Sequence, residues 1–145
     1  MVQNLEINLV TVVVAAIVNM AIGFAWYSQS LFGKTWMTEN KMTVADVKAG
    51  NAGKIYGWAF ILSLIMAANL AMYLADSPAS CPEGCAQRTD IRWGTMMGFL
   101  SGLWPFCGIA IVGLFEHKSA RYIFINGGYL LLALTLMGAI IGVWR

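Results

Sequence analysis

Glu116 and His117 stand side by side in "FEHKSARY", and His117 is the single histidine of the 145-residue chain. A carboxylate beside an imidazole can orient it and hold its proton, which is the working unit of general acid/base catalysis. The rest of a catalytic constellation is missing. No glycine-rich phosphate loop follows a strand, no Cys–His pair falls at a sensible depth, and no cluster has metal-ligand spacing. The reading is therefore not an enzyme, with no cofactor and no catalytic or metal-binding residues. The same stretch offers a second chemistry, since His117, Lys118 and Arg121 could hold a lipid phosphate beside a helix end. A short loop obeying the positive-inside rule is the simpler and preferred account of these residues.

The elements around this loop are apolar. Hydrophobic residues make up 59% of the chain and charged ones 11%, where a soluble domain carries about 25% charged residues. Four runs, 9–27, 55–75, 93–115 and 122–144, contain no Asp, Glu, Lys, Arg or His. At about 1.5 Å per residue each spans roughly 28 to 35 Å, matching a hydrocarbon core of about 30 Å. The predicted fold is all-α, an integral membrane bundle of four transmembrane helices in a single domain, 1–145. A soluble four-helix bundle needs a polar stripe along each helix, and none is present. The first run resembles a secretory signal only superficially, because Glu6 and no basic residue precedes it and it is too long for an h-region.

Charge sets the expected orientation. The two ends and the second loop share one side and hold three basic residues, Arg88, Arg92 and Arg145. The first and third loops share the other and hold six, Lys34, Lys41, Lys48, Lys54, Lys118 and Arg121. The positive-inside rule puts the six in the cytoplasm and both termini outside. Cys81 and Cys85 in "SCPEGC" then fall outside, where disulfides persist, with Pro82 and Gly84 suiting a tight turn between them. Two free thiols or half of a metal site are the alternatives, the metal disfavoured because no further Cys or His lies on that side. Together these features fit a bacterial inner membrane. Cys107, inside the third run, reads as a small buried hydrophobe.

Trp26, Tyr27, Phe32, Lys34 and Trp36 crowd the end of the first run in "WYSQSLFGKTWM". Aromatic rings are enriched where a helix meets the headgroup layer, so an interfacial anchor is the physical reading and a ligand pocket the rival. This stretch, "NAGKIYGWAF" leading into the second run and "FINGGYLLLALTLMGAIIG" in the last resemble the bacterial and fungal membrane family called domain of unknown function 1761. The resemblance covers nearly the whole chain in the same order. It implies a small multi-helix membrane protein and supplies no activity, and the loop with Cys81 and Cys85 departs from the family pattern.

Helices in lipid associate through small residues that let backbones approach. Gly94, Gly98 and Gly102, with Ser101 beside them, form a ridge on the third helix, and Gly128, Thr135, Gly138 and Gly142 form a second seam on the fourth. One seam is expected to serve the bundle, leaving the other for a neighbouring subunit. Pro105 should bend the third helix. Asn19, Asn69 and Asn126 are intramembrane polar residues, ordinarily interhelical glue and otherwise the lining of a solute path. The lack of intramembrane charge speaks against a proton-coupled pump. In the first loop, Thr43 followed by Asp46 and then Gly50 predicts a short capped cytoplasmic helix.

These features favour a structural or accessory helix-packing protein, self-associating or packed as a small subunit against a larger membrane complex. The alternative is a homo-oligomeric small-solute channel or transporter. The lipid bilayer is the expected partner, and no basic run is long enough for nucleic acid.

Overall fold

Polar side chains set where the long helices start. In the computed structural model, which describes residues 7–75 and 90–144, Asn8 Oδ1 accepts from the Val10 and Thr11 amides and opens α1 (Leu9–Trp26). Two short helices follow, α2 (Gly33–Glu39) and α3 (Val44–Ala49). Asn51 Oδ1 takes the Lys54 amide in the first turn of α4 (Ala52–Ala75), Asp90 that of Trp93 in α5 (Ile91–Phe115), and Ser119 that of Tyr122 in α6 (Ala120–Val143). Such caps satisfy amides that have no intrahelical acceptor. They also explain why α4, α5 and α6 begin two or three residues before the apolar runs, since a first turn at the bilayer edge tolerates Lys54, Arg92 and Arg121.

Among the described residues the fold is all-helical, and α1, α4, α5 and α6 are each long and apolar enough to cross a membrane. The ends of the described chain meet at one end of the bundle, where Asn8 Nδ2 donates to the Trp144 carbonyl at 3.5 Å. The connections between α1 and α4 and between α5 and α6 meet at the other, where the Ser119 hydroxyl donates to Glu39.

The helices do not pack as a symmetric square. Val12, Ala15 and Ala16 of α1, Ala67, Leu70, Ala71 and Leu74 of α4, and Leu134, Met137 and Ile141 of α6 form one buried cluster. Five of these ten are small residues, alanines at four crossing points and a valine, so the three backbones approach closely. The α5 helix adds only the partly buried Met97 to the edge of this core, and its buried residues are all glycines, Gly94, Gly98, Gly102 and Gly113. It lies instead against a second face of α6. A Cβ on Gly94 would collide with the Gly138 carbonyl and sit 3.0 Å from the Gly142 Cα, and one on Gly98 would sit 3.1 Å from the Gly138 Cα. Gly102 fits against Leu131 in the same way, at 2.9 Å from its Cα. The expectation of one spare seam is corrected, because Gly94 and Gly98 mate with Gly138 and Gly142 and are spent within the chain.

One other expectation changes, since Cys107 is exposed rather than buried. Pro105 lies inside α5, with helix on both sides of it. The proposed disulfide pair Cys81 and Cys85 lies outside the described residues, as do Arg88 and Arg145.

One core group is unsatisfied. The Thr11 side chain is 3% exposed and its Oγ1 has no hydrogen-bond partner among the described residues. A buried hydroxyl without a partner costs more than an apolar group of the same shape. Thr11→Val is expected to stabilise the protein by about 1 kcal/mol, read as a higher midpoint for unfolding in mixed detergent micelles.

The α3 helix carries a reciprocal cap. The Thr43 hydroxyl and amide donate to Asp46 Oδ2 at 2.6 and 2.7 Å, and the Asp46 amide returns to Thr43 Oγ1 at 3.2 Å. The side-chain bond from Thr43, then the backbone bond, holds the Asp46 carboxyl below its ordinary value. A lowered folded pKa means that this support is complete above the ordinary carboxylate range and disappears as pH falls through the lowered value. Backbone chemical shifts of Val44–Ala49 are therefore expected to move toward unstructured values below about pH 4, and Asp46→Asn should remove that transition.

Candidate functional site

Asn19 shares a face of α1 with Val12, Ala15 and Ala16, so the packing that buries them carries its amide into the core, where it is 3% exposed. Its Nδ2 donates to Ser63 Oγ of α4 at 2.7 Å, and its Oδ1 accepts from the Tyr129 hydroxyl of α6 at 2.9 Å. Ser63 passes its own proton to the Ala59 carbonyl at 2.7 Å. The result is a directed chain of donors, Tyr129 to Asn19 to Ser63 to backbone, stitching three helices near mid-depth. Every group in it has the partner that a low-dielectric interior demands.

A second layer lies toward the α1–α4 loop. Trp26 Nε1 donates to the Ile125 carbonyl at 2.9 Å, and the Tyr27 hydroxyl donates to Asn126 Oδ1 at 3.0 Å. Asn126 Nδ2 in turn donates to the Tyr122 carbonyl. The Tyr27 ring meets Tyr129 and Trp36 edge-on at 5.4 and 5.6 Å, and Trp26 packs on Phe32 at 4.5 Å. Gly33, buried at the start of α2, lets the chain turn back there, since a Cβ would collide with the Tyr27 and Ser28 carbonyls. The aromatic stretch thus pins the end of α1 and the following turn onto α6. Lys34 is exposed.

On the opposite side of α6, α4 and α5 barely touch. Between them lies a half-open cleft of about 520 Å³, with Leu130 and Leu134 of α6 as its floor and Asn69, Tyr73, Ser101 and Trp104 among its walls. Neither Asn69 nor Ser101 makes a side-chain hydrogen bond among the described residues, whereas Asn19 and Asn126 are both engaged.

The family model described as "Protein of unknown function (DUF1761)" matches residues 10–142. The chain belongs to that family. No curated protein and no solved structure matches it. The matched segment contains the polar chain, the aromatic layer, the glycine seam and the cleft, so all of these lie within the part that makes this a DUF1761 protein.

The remaining residues singled out by sequence are scattered. In this DUF1761 protein Gly128 lies under the Trp26 ring, away from α5, and Thr135 bonds back to the Leu131 carbonyl in a shallow groove beside Thr95 and Phe99. His117 and Arg121 are exposed, and Lys118 Nζ sits 5.2 Å from the centre of the Tyr122 ring. His117 occupies the turn after α5 with a φ of +54°. Among the described residues no group of three or more His, Cys, Asp or Glu could hold a metal ion.

Sequence reasoning missed Tyr129, Gly127 and Thr11. Tyr129 had a usable signal, because a tyrosine deep in an apolar run needs a partner for its hydroxyl. Gly127 packs against Phe106, and only the neighbour's identity explains it.

Proposed function

We propose that this member of the DUF1761 family is a structural or accessory helix-packing protein of a membrane, acting as a self-associating bundle or as a small subunit beside a larger complex. The observation that carries this reading is the closed hydrogen-bond chain through Asn19. The polar side chains of α1, α4 and α6 that meet near mid-depth bond to one another and to backbone, which supports reading them as glue. Large apolar side chains face outward along all four long helices, among them Trp104 and Phe115 of α5, each 84% exposed. Such surface suits lipid or another membrane-embedded chain. In this reading the loops perform no catalytic step, His117, Lys118 and Arg121 face lipid headgroups, and the bias of basic residues sets both termini outside the cytoplasm of a bacterial inner membrane.

A homo-oligomeric channel is the second reading, and the exposed Asn69 is what favours it, since copies arranged around a common axis could present that amide to a shared path. Native mass spectrometry of the protein released gently from its own membranes, without overexpression, separates these. Release with a larger membrane assembly, or as copies in variable number, supports the packing role. A closed ring of fixed size favours the channel, and a monomer with no companions overturns both.

A further inference from the structure

We infer that the cleft between α4 and α5 is a binding site for a neutral single-chain lipid whose small polar group, a hydroxyl or carbonyl, is held by Asn69 and Ser101 within the hydrocarbon layer.

The cleft exists because α5 is fastened only to α6. Its glycines grip Leu131, Leu134, Gly138 and Gly142, and α4 is held by α1 and α6 through a different face. The α4 and α5 helices therefore stand apart, with α6 as a floor between them. The space of about 520 Å³ falls within the range of ligand sites, about 300–1,000 Å³, and its walls have the usual make-up of such sites, apolar and aromatic with a few polar groups. Its lining residues all lie within the three long apolar helices α4, α5 and α6.

Two polar side chains in it lack partners. Asn69, with two amide protons and a carbonyl to satisfy, lines the cleft without a side-chain hydrogen bond, and so does the Ser101 hydroxyl. Pro105, one turn further along α5 and also in the wall, has no N–H to offer the Ser101 carbonyl. Polar backbone and amide groups in hydrocarbon must find donors or acceptors in protein, ligand or trapped water. Elsewhere in the same protein Asn19 and Asn126 are fully engaged, so Asn69 stands out against its own chain.

Depth and charge define the occupant. Asn69 lies six residues before Ala75, about 9 Å along the helix, and the cleft runs from Tyr73 near that end down to Ile65 and Pro105 around the middle. The stretch of α4 from Ile65 to Tyr73 spans about 12 Å, most of the roughly 15 Å of one leaflet, and leaves room for part of one hydrocarbon chain. Among the described residues no charged side chain lines it, and a phosphate at the depth of Asn69 would lie below the headgroup layer with none of these residues to neutralise it. A neutral hydroxyl or carbonyl meets no such penalty and supplies the missing partners.

The test uses the full-length protein in lipid nanodiscs containing a few mole per cent of a long-chain fatty alcohol with a photoactivatable diazirine near its hydroxyl, with a diazirine-tagged phosphatidylcholine as the matched probe. After illumination, labelled positions are mapped by mass spectrometry. The fatty alcohol is expected to concentrate its labels on 65–73 and 100–105. Asn69→Leu, an apolar change on an exposed position, should reduce that labelling at least fivefold, and Ser101→Ala should reduce it less. The phosphatidylcholine should label all outward faces alike in every variant. Even labelling by the alcohol, or labelling of the cleft unchanged by Asn69→Leu, would overturn the assignment. So would a cleft protected from both probes, which would mean that another helix fills it.

Discussion

A single methyl group at Gly138 is expected to unfasten α5 from the rest of the protein. The α5–α6 contact is made by backbones, with the Gly138 position facing the Gly94 carbonyl and a Cβ there falling 2.9 Å from the Gly98 Cα. Neither neighbour is a flexible side-chain end that can swing aside, so Gly138→Ala can be accommodated only by moving one helix away from the other. Overpacking in a well-filled interior ordinarily costs about 1–3 kcal/mol, and a rigid backbone obstacle places this one at about 3 kcal/mol or more. Gly98→Ala should behave the same way. Gly57→Ala and Gly108→Ala are the controls, because a Cβ at either meets nothing within 4 Å, and alanine is the better helix former. Unfolding in mixed detergent micelles should therefore separate the two pairs clearly. Equal stability for Gly138→Ala and Gly108→Ala would mean that α5 does not pack on α6 through this seam.

The second large effect is expected at Asn19. Replacing it with leucine removes both links of the chain at once and leaves the Tyr129 hydroxyl and Ser63 Oγ without the bonds at 2.9 and 2.7 Å. Interhelical hydrogen bonds in membranes contribute about 0.6 to 2 kcal/mol each, so Asn19→Leu is expected to cost about 2 kcal/mol. Tyr129→Phe removes one link and should cost about 1 kcal/mol. Because the two side chains act on each other, the double variant should fall short of the sum by about 1 kcal/mol. Strict additivity would show that the tyrosine and asparagine do not share a bond.

What the sequence discloses about this protein depends on how local the determinant is. The four long helices were legible because a span of hydrocarbon demands an unbroken apolar run, and each run announces itself without reference to its neighbours. The α5 ridge was visible for the same reason, as glycines four residues apart on one helix. Its mate was not. The seam assigned to α6 included Gly128 and Thr135, yet the face that meets α5 runs through Leu131, Leu134, Gly138 and Gly142, with Gly128 turned toward Trp26. A smooth helix face is a local property, and the helix that covers it is decided by the whole bundle. Asn19 could be marked as polar glue in advance, but Ser63 and Tyr129 became its partners only once α1, α4 and α6 were placed together. The cleft was the least legible feature, since it follows from two helices barely touching, and no residue pattern encodes that. The aromatic stretch after α1 was read as an anchor in the headgroup layer, while its rings and polar tips turn onto α6, because indole and phenol groups at a helix end can reach backbone and amide acceptors there.

The central claim is that the hydrogen-bonded chain through Asn19 is structural and that water reaches neither it nor the cleft at Asn69. It is tested most directly by placing single cysteines at positions 19, 69 and 34, in a background without the native cysteines, and challenging intact membranes with a water-soluble thiol reagent. Position 34, an exposed lysine between α1 and α4, should react from the side on which that loop lies. Positions 19 and 69 should stay unmodified from both sides. Modification at position 19 would mean that water reaches the centre of the bundle, and the protein would have to be understood as a conduit.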